Sequence, residues 1–258
     1  MFWIKLLAKL DTADARGEES SVFKDSRLGI EKWNAAVKSF GLGTKLNTDI
    51  PGVKSGRIPD ANYYDAEFPS KSNPYGKHRW AFSTIYSNSI GEGEIGVSPL
   101  QMANLAAIIA NRGYYYTPHL VKKIGKDGYK RPEYLKKNYS MAAAKHFEPV
   151  VNAMEMVVEN GTARGAQIDS IIVCGKTGTV QNETFNDHSV FIAFAPRENP
   201  QIAIAVYVEY GTWGGVWAAK IASLMIEQYL QKELSEKGKK KEQEVLDAII
   251  LDKHSDFK

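Results

Sequence analysis

Five consecutive residues, Gly175-Lys176-Thr177-Gly178-Thr179, combine groups that can hold and polarise an anionic substrate. The apolar run 171–174 leads straight into them, so the pattern predicts a strand. A lysine on a strand that borders a cleft offers a fixed positive charge to a carboxylate. Threonine hydroxyls beside it add hydrogen bonds to the same anion. Gly178 has no side chain, so a substrate backbone can lie against the strand. The backbone N–H of Thr179 can then point at a developing oxyanion, and one such donor contributes about 3–4 kcal/mol in known enzymes. Taken alone, the segment fits equally an exposed turn with an ordinary lysine.

Other chemistries find less support. A phosphate loop needs a glycine five residues before the Gly-Lys-Thr, and position 170 is Ser. Gly91, Gly93 and Gly96 have the spacing of a dinucleotide fingerprint, but no strand–helix unit surrounds them. The five histidines (His78, His119, His146, His188, His254) show no pair at metal-ligand spacing, and Cys174 is the single cysteine. Neither a cofactor nor a metal is therefore expected. With a net charge of +3 over 258 residues, the composition gives no reason to expect a nucleic-acid partner.

The elements that must position the Lys-Thr-Gly strand are clearest in the last third. Runs 189–195 and 202–209 are rich in β-formers, and their short links predict antiparallel neighbours. An apolar helix over 213–230, with Val216, Ala219, Ile221, Leu224, Met225 and Ile226 inward, should cover the sheet. Upstream, Ser98-Pro99-Leu100-Gln101 is a helix start with proline at the first helical position, and Gly113 should end that helix. A further helix is predicted over 147–160, with Val150, Val151, Met154, Val157 and Val158 inward. A strand is expected over 114–124, at an edge because of Pro118. Residues 28–40 predict a helix stopped by Gly41 and Gly43, residues 11–25 a polar loop, and residues 41–80 a long irregular excursion. Residues 2–10 place Phe2, Leu6 and Leu10 on one helical face, too short to span a bilayer and without signal-peptide order. Residues 231–258, with Lys237, Lys239, Lys240 and Lys241 among glutamates, read as a solvated charged tail.

Six segments in one order resemble the transpeptidase domain of class B penicillin-binding proteins. They are Phe40-Gly41-Leu42-Gly43, Asp49-Ile50-Pro51-Gly52, the stretch from Gly93 through Ser98-Pro99-Leu100-Gln101 to Asn104, Gly161-Thr162-Ala163, the Lys176-Thr177-Gly178 triplet, and the run from Asp187 to Pro196. The likeness covers about residues 1–230 and is strongest to the elongation-type members. It implies a serine β-lactamase/transpeptidase-like α/β (α+β) fold, a mainly antiparallel sheet flanked by helices, incomplete at its N-terminus. It also implies a D,D-transpeptidase that cross-links the cell wall. A serine attacks the penultimate D-alanine carbonyl of a peptidoglycan stem peptide, and an amine of a neighbouring peptide takes the acyl group. The implied ligands are D-Ala-D-Ala ends and β-lactams, held by Lys176, Thr177, Gly178 and Thr179, with the Thr179 backbone at the oxyanion. The implied partners are other wall-elongation proteins, in an inner-membrane-anchored protein whose domain lies in the periplasm.

Two landmarks of that family, Ser-x-x-Lys and Ser-x-Asn, lack a fitting counterpart. Ser21-Val22-Phe23-Lys24 has the first spacing, but it reads as a polar loop just before Asp25-Ser26-Arg27-Leu28-Gly29, which resembles a segment downstream of both landmarks. Ser21 is therefore not expected to be the nucleophile. The expectation is a C-terminal portion of the domain that cannot acylate by itself and is marginally stable with apolar surface uncovered. A β-lactamase-like hydrolase, or a non-catalytic binding protein on the same fold, remains the alternative.

Overall fold

The computed structural model describes residues 22–68, 80–81 and 83–250, and the chain divides into two compact units, residues 1–98 and 99–258. The first unit opens with α1 (Val22–Lys38). This helix begins six residues earlier than its apolar periodicity indicated, so residues 22–25 are helical rather than loop. Gly41, at φ 79°, takes the left-handed conformation that lets the chain leave it. The expected excursion over 41–80 is not wholly irregular. It holds α2 (Ala61–Glu67), whose first turn is capped by Asp60 Oδ1 accepting from the Tyr63 N–H at 2.9 Å. Shortness hid this helix: Ala61, Tyr64 and Phe68 have helical spacing, but seven residues hold too few turns for the period to stand out. Tyr64 is fully buried, and its ring lies 5.5 Å from Trp80 and 6.1 Å from Phe68, with Ile30, Ala61 and Ile85 completing the cluster. Its hydroxyl donates to Glu94 at 2.6 Å and accepts from Asn88 Nδ2 at 2.6 Å, so its polar end is satisfied in the core. The helix expected over 2–10 lies outside the described residues.

The second unit starts with α3 (Pro99–Ala110), as the capping pattern indicated. A short strand β1 (Tyr114–Tyr116) pairs antiparallel with β2 (Lys137–Tyr139), so the strand expected over 114–124 stops after three residues. Between them lies the single turn α4 (Pro132–Leu135). Helix α5 (Phe147–Glu159) buries Val151, Met154 and Val158 but leaves Val150 43% exposed, contrary to the inward assignment. Three antiparallel strands follow in the order β3 (Cys174–Val180), β4 (His188–Ala195), β5 (Ile202–Val208).

Strand β4 is the centre of the sheet and is covered on both faces. Phe191, Ala193 and Ala195 pack with Ala218, Ala219, Ala222 and Ile226 of α6 (Ala218–Gln231). Val190 and Phe194, which alternate with them, are buried too, and α3 also packs on β4 and β5. Burying a side chain such as Phe191 contributes about 1.5–3 kcal/mol, so this strand anchors the unit. Helix α6 begins five residues later than its periodicity suggested, and Met225 is 53% exposed rather than inward. The intervening residues 213–217 form a turn.

The solvated tail is corrected over α7 (Glu236–Leu246), which packs against α6. The Ser235 hydroxyl caps it by accepting from Gly238 N at 3.1 Å, and the buried Glu227 carboxylate accepts from Ser235 N at 3.3 Å. Lys241 reaches back to donate to Gly165 O (2.9 Å), Gln167 O (2.7 Å) and Ser223 Oγ (3.2 Å). Its burial lowers the ammonium pKa from the usual lysine value.

Candidate functional site

Strand β3 carries the Lys-Thr-Gly segment on an edge of the sheet, paired with β4 along its length and with no second neighbour among the described residues. Its start is buried and its end is open: Cys174 and Gly175 are covered, Lys176 and Thr179 exposed, Thr177 and Gly178 half-buried. Gly175 is required by packing. A Cβ there would fall 2.2 Å from Cζ of the fully buried Phe191. Burial pushes the Cys174 thiol up to about 12, so it stays protonated and inert at neutral pH.

Lys176 donates from Nζ to Thr177 O at 2.6 Å. The Thr177 hydroxyl lies 2.8 Å from that of Thr162. Thr162 comes from the turn after α5, where the Ala163 N–H bonds to Val157 O at 3.0 Å. Lys176, Thr177, Gly178 and Thr179 lie in succession on β3, and the Thr177 hydroxyl brings Thr162 to them. The signal for Thr162 was present in Gly161-Thr162-Ala163, but no spacing rule ties that turn to a strand fifteen residues on.

A second missed component is the turn over residues 211–217. A Cβ on Gly214 would lie 2.4 Å from Gly178 O and 2.5 Å from Val190 O. One on Gly215 would lie 2.1 Å from Thr162 O. These contacts are with backbone atoms that have little room to yield. The turn therefore rests directly on β3, β4 and the Thr162 turn, and only glycine permits it. Ser189, fully buried and paired with Thr179 in register, fixes the turn from below: its hydroxyl donates to Trp213 O at 3.0 Å and accepts from Ala218 N at 3.1 Å. Trp213 stands 73% exposed on the same turn.

The β3–β4 link is built the same way. Asp187 Oδ1 accepts from Asn182 N at 3.0 Å, and Asn182 Oδ1 accepts from Thr184 N and Phe185 N. His188 Nδ1 accepts from Tyr210 N at 3.0 Å. Polar side chains here hold backbone, leaving Lys176 as the exposed cation of the strand. Ser21 lies outside the described residues, as does a second Ser-x-x-Lys spacing, Ser255 to Lys258, at the end of the chain.

The Gly91, Gly93 and Gly96 segment opens no nucleotide-binding unit. It follows a 3-10 turn (Tyr86–Ile90), and Gly96 pairs with Arg57 through two backbone hydrogen bonds of 2.6 and 2.9 Å.

Comparison with known proteins shows the family and the fold. The family profile described as the penicillin binding protein transpeptidase domain matches residues 19–227. The peptidoglycan D,D-transpeptidase MrdA of Acinetobacter baumannii is 30% identical over 230 residues, covering 80% of this chain and 32% of the relative. Among solved structures, penicillin-binding protein 2 of Pseudomonas aeruginosa, in complex with WCK 5153, superposes with a TM-score of 0.67 at 30% identity, over 82% of this chain and 44% of that one. Penicillin-binding protein A of M. tuberculosis, an imipenem acyl-enzyme complex, gives a TM-score of 0.58 at 26% identity, over 80% and 43%. The chain spans about a third of the length of the curated relative it matches.

Proposed function

The chain belongs to the penicillin-binding protein transpeptidase family, and from that premise we propose that it forms the substrate-carboxylate and oxyanion side of a peptidoglycan D,D-transpeptidase site. The observation that carries this is Lys176. It is an exposed ammonium on an edge strand, beside a hydroxyl pair, Thr177 and Thr162, held at 2.8 Å. The substrate is a stem peptide ending in D-Ala-D-Ala, and β-lactams are taken as mimics of that end. Lys176 and the Thr177 hydroxyl bind the terminal carboxylate by charge-assisted hydrogen bonds. The peptide backbone runs along β3, where Gly178 leaves room for it.

In the reaction a serine oxygen attacks the penultimate D-alanine carbonyl as a lysine takes its proton. The carbonyl becomes a tetrahedral oxyanion that the Thr179 N–H stabilises. Collapse expels terminal D-alanine and leaves an ester, which the amine of a neighbouring peptide then aminolyses. The nucleophilic serine is not assigned to any described residue. We place residues 1–230 in this one domain and its setting in periplasmic wall elongation, in an inner-membrane-anchored protein working with other elongation proteins. Similarity to relatives named MrdA and penicillin-binding protein 2 supports that setting.

Labelling with a fluorescent penicillin, read on a denaturing gel, tests the proposal. The chain is compared with a version extended upstream over any Ser-x-x-Lys that its gene encodes. Labelling in the extended form that is lost in Lys176→Met supports the reading. Labelling of the chain alone that is lost in Ser21→Ala makes Ser21 the nucleophile. Absence of label in both forms moves the assignment to a non-catalytic binding protein on this fold.

A further inference from the structure

The net charge of the chain hides a local excess. Residues 119–139 carry seven lysines and arginines against two acids, in a protein whose total is only +3. This segment is built rather than loose. At its base His119 stacks on the buried Tyr134, with ring centroids 4.2 Å apart and 8° between planes. Its tip is closed by two backbone hydrogen bonds between Ile124 and Tyr129, of 2.8 and 3.0 Å, and strands β1 and β2 pair where it joins the unit. Two of its cations are engaged: Lys137 Nζ sits 4.0 Å over the Tyr114 ring, and Arg131 lies over Tyr134 at 5.7 Å. The other five, Lys122, Lys123, Lys126, Lys130 and Lys136, are exposed and have no ion pair or hydrogen bond among the described residues. Ile124, Tyr129 (57% open) and Leu135 are exposed apolar side chains between them, and Leu120 (72%) and Tyr139 (68%) flank them.

We propose that this arm is a docking surface for the carboxylate-bearing peptidyl-glycan polymer itself, engaged away from the peptide end that reacts. The inference rests on the transpeptidase reading, which makes that polymer the substrate. Charge complementarity selects the occupant. A polymer that repeats carboxylates along its length can meet several fixed lysines at once. Single exposed ion pairs are weak, and repetition on both sides makes the sum significant. The exposed tyrosine rings offer flat apolar faces to sugar C–H groups between the charges. A bilayer surface is a poorer match. Membrane-surface binding uses a long amphipathic helix with a continuous apolar face, whereas the only helix of the arm has four residues and its lysines interleave with the apolar side chains.

The test is co-sedimentation of the chain with isolated insoluble peptidoglycan. The wild type is compared with a variant carrying Lys122→Gln, Lys123→Gln, Lys126→Gln and Lys130→Gln, and with the matching quadruple Lys→Arg variant. Anionic phosphatidylglycerol vesicles and a DNA duplex are run as competing surfaces. The expected result is roughly tenfold weaker pelleting of the Gln variant, retention in the Arg variant, and loss of wild-type pelleting as salt rises. Equal pelleting of the wild type and the Gln variant overturns the proposal. So does tighter wild-type binding to vesicles or DNA than to peptidoglycan. Penicillin labelling of the extended form is read separately. Absence of wild-type pelleting with labelling of the extended form intact removes the arm from substrate binding and leaves the transpeptidase reading standing. Loss of labelling in wild type with pelleting intact removes the catalytic reading instead.

Discussion

Lys176 spends its ammonium on a single carbonyl, that of its neighbour Thr177, so it can turn to an incoming carboxylate without leaving a buried group unpaired. Replacing it with Met removes a charge-assisted hydrogen bond of about 1.5–3 kcal/mol. The β-lactam acylation rate of the extended form should fall about 10- to 150-fold, with the melting temperature unchanged because the side chain is exposed. Two residues earlier, Cys174 is fully buried, and its expected behaviour is the opposite of a reactive thiol's. A thiol reagent at pH 8 should fail to modify it until the chain unfolds. Its raised pKa also gives a pH signature. Below its ordinary value of 9.0 the thiol is protonated in both states and contributes no pH dependence. Between 9.0 and about 12 the unfolded chain ionises while the folded one keeps its proton, so stability falls as pH rises through that window. Cys174→Ala should flatten the slope of a denaturation midpoint measured across that range.

At the scale of elements, the glycine turn and helix α7 form a support for β3 that begins far along the chain. Lys241 on α7 holds Gly165 O and Gln167 O, and a Cβ on Gly165 would lie 3.2 Å from Gly215 O. Gly215 in turn abuts the Thr162 turn. Lys241→Ala should cost about 1–3 kcal/mol through the two carbonyls left without their donor, seen as a lower denaturation midpoint. Gly215→Ala should cost about 1–3 kcal/mol through overpacking and should also weaken penicillin labelling. These elements mark the limit of what the residues alone disclose. Strands β4 and β5, helices α3, α5 and α6 and the Lys-Thr-Gly strand are legible because periodicity, caps and short links act locally. Thr162 was visible only as part of a family-like segment, and Gly214, Gly215 and Lys241 were not visible at all, because their roles come from contacts made by chain folding back on itself. Helix α7 reads as a charged tail for the same reason: one half-buried lysine and one serine cap, not an apolar stripe, dock it.

For the whole molecule, burial is uneven. Strand β4 is covered on both faces, while nearly all of residues 120–139 face solvent. Hydrogen exchange followed by mass spectrometry should find its slowest amides in β4 and α6 and its fastest, among residues 99–250, between 117 and 137. Slow exchange across that arm in the isolated chain would contradict the exposure of these residues.

The open edge of β3 carries one further consequence. Among the described residues no second strand pairs with it, and such a row of N–H and C=O groups can take the strand of another copy as well as the peptide of the proposed function. On the proposed function, substrate and self would therefore compete for the same rail. A ligand lying on β3 would act as a solubiliser of its own receptor: peptides ending in D-Ala-D-Ala should delay clouding of a concentrated or refolding sample, at concentrations that track their occupancy of the strand.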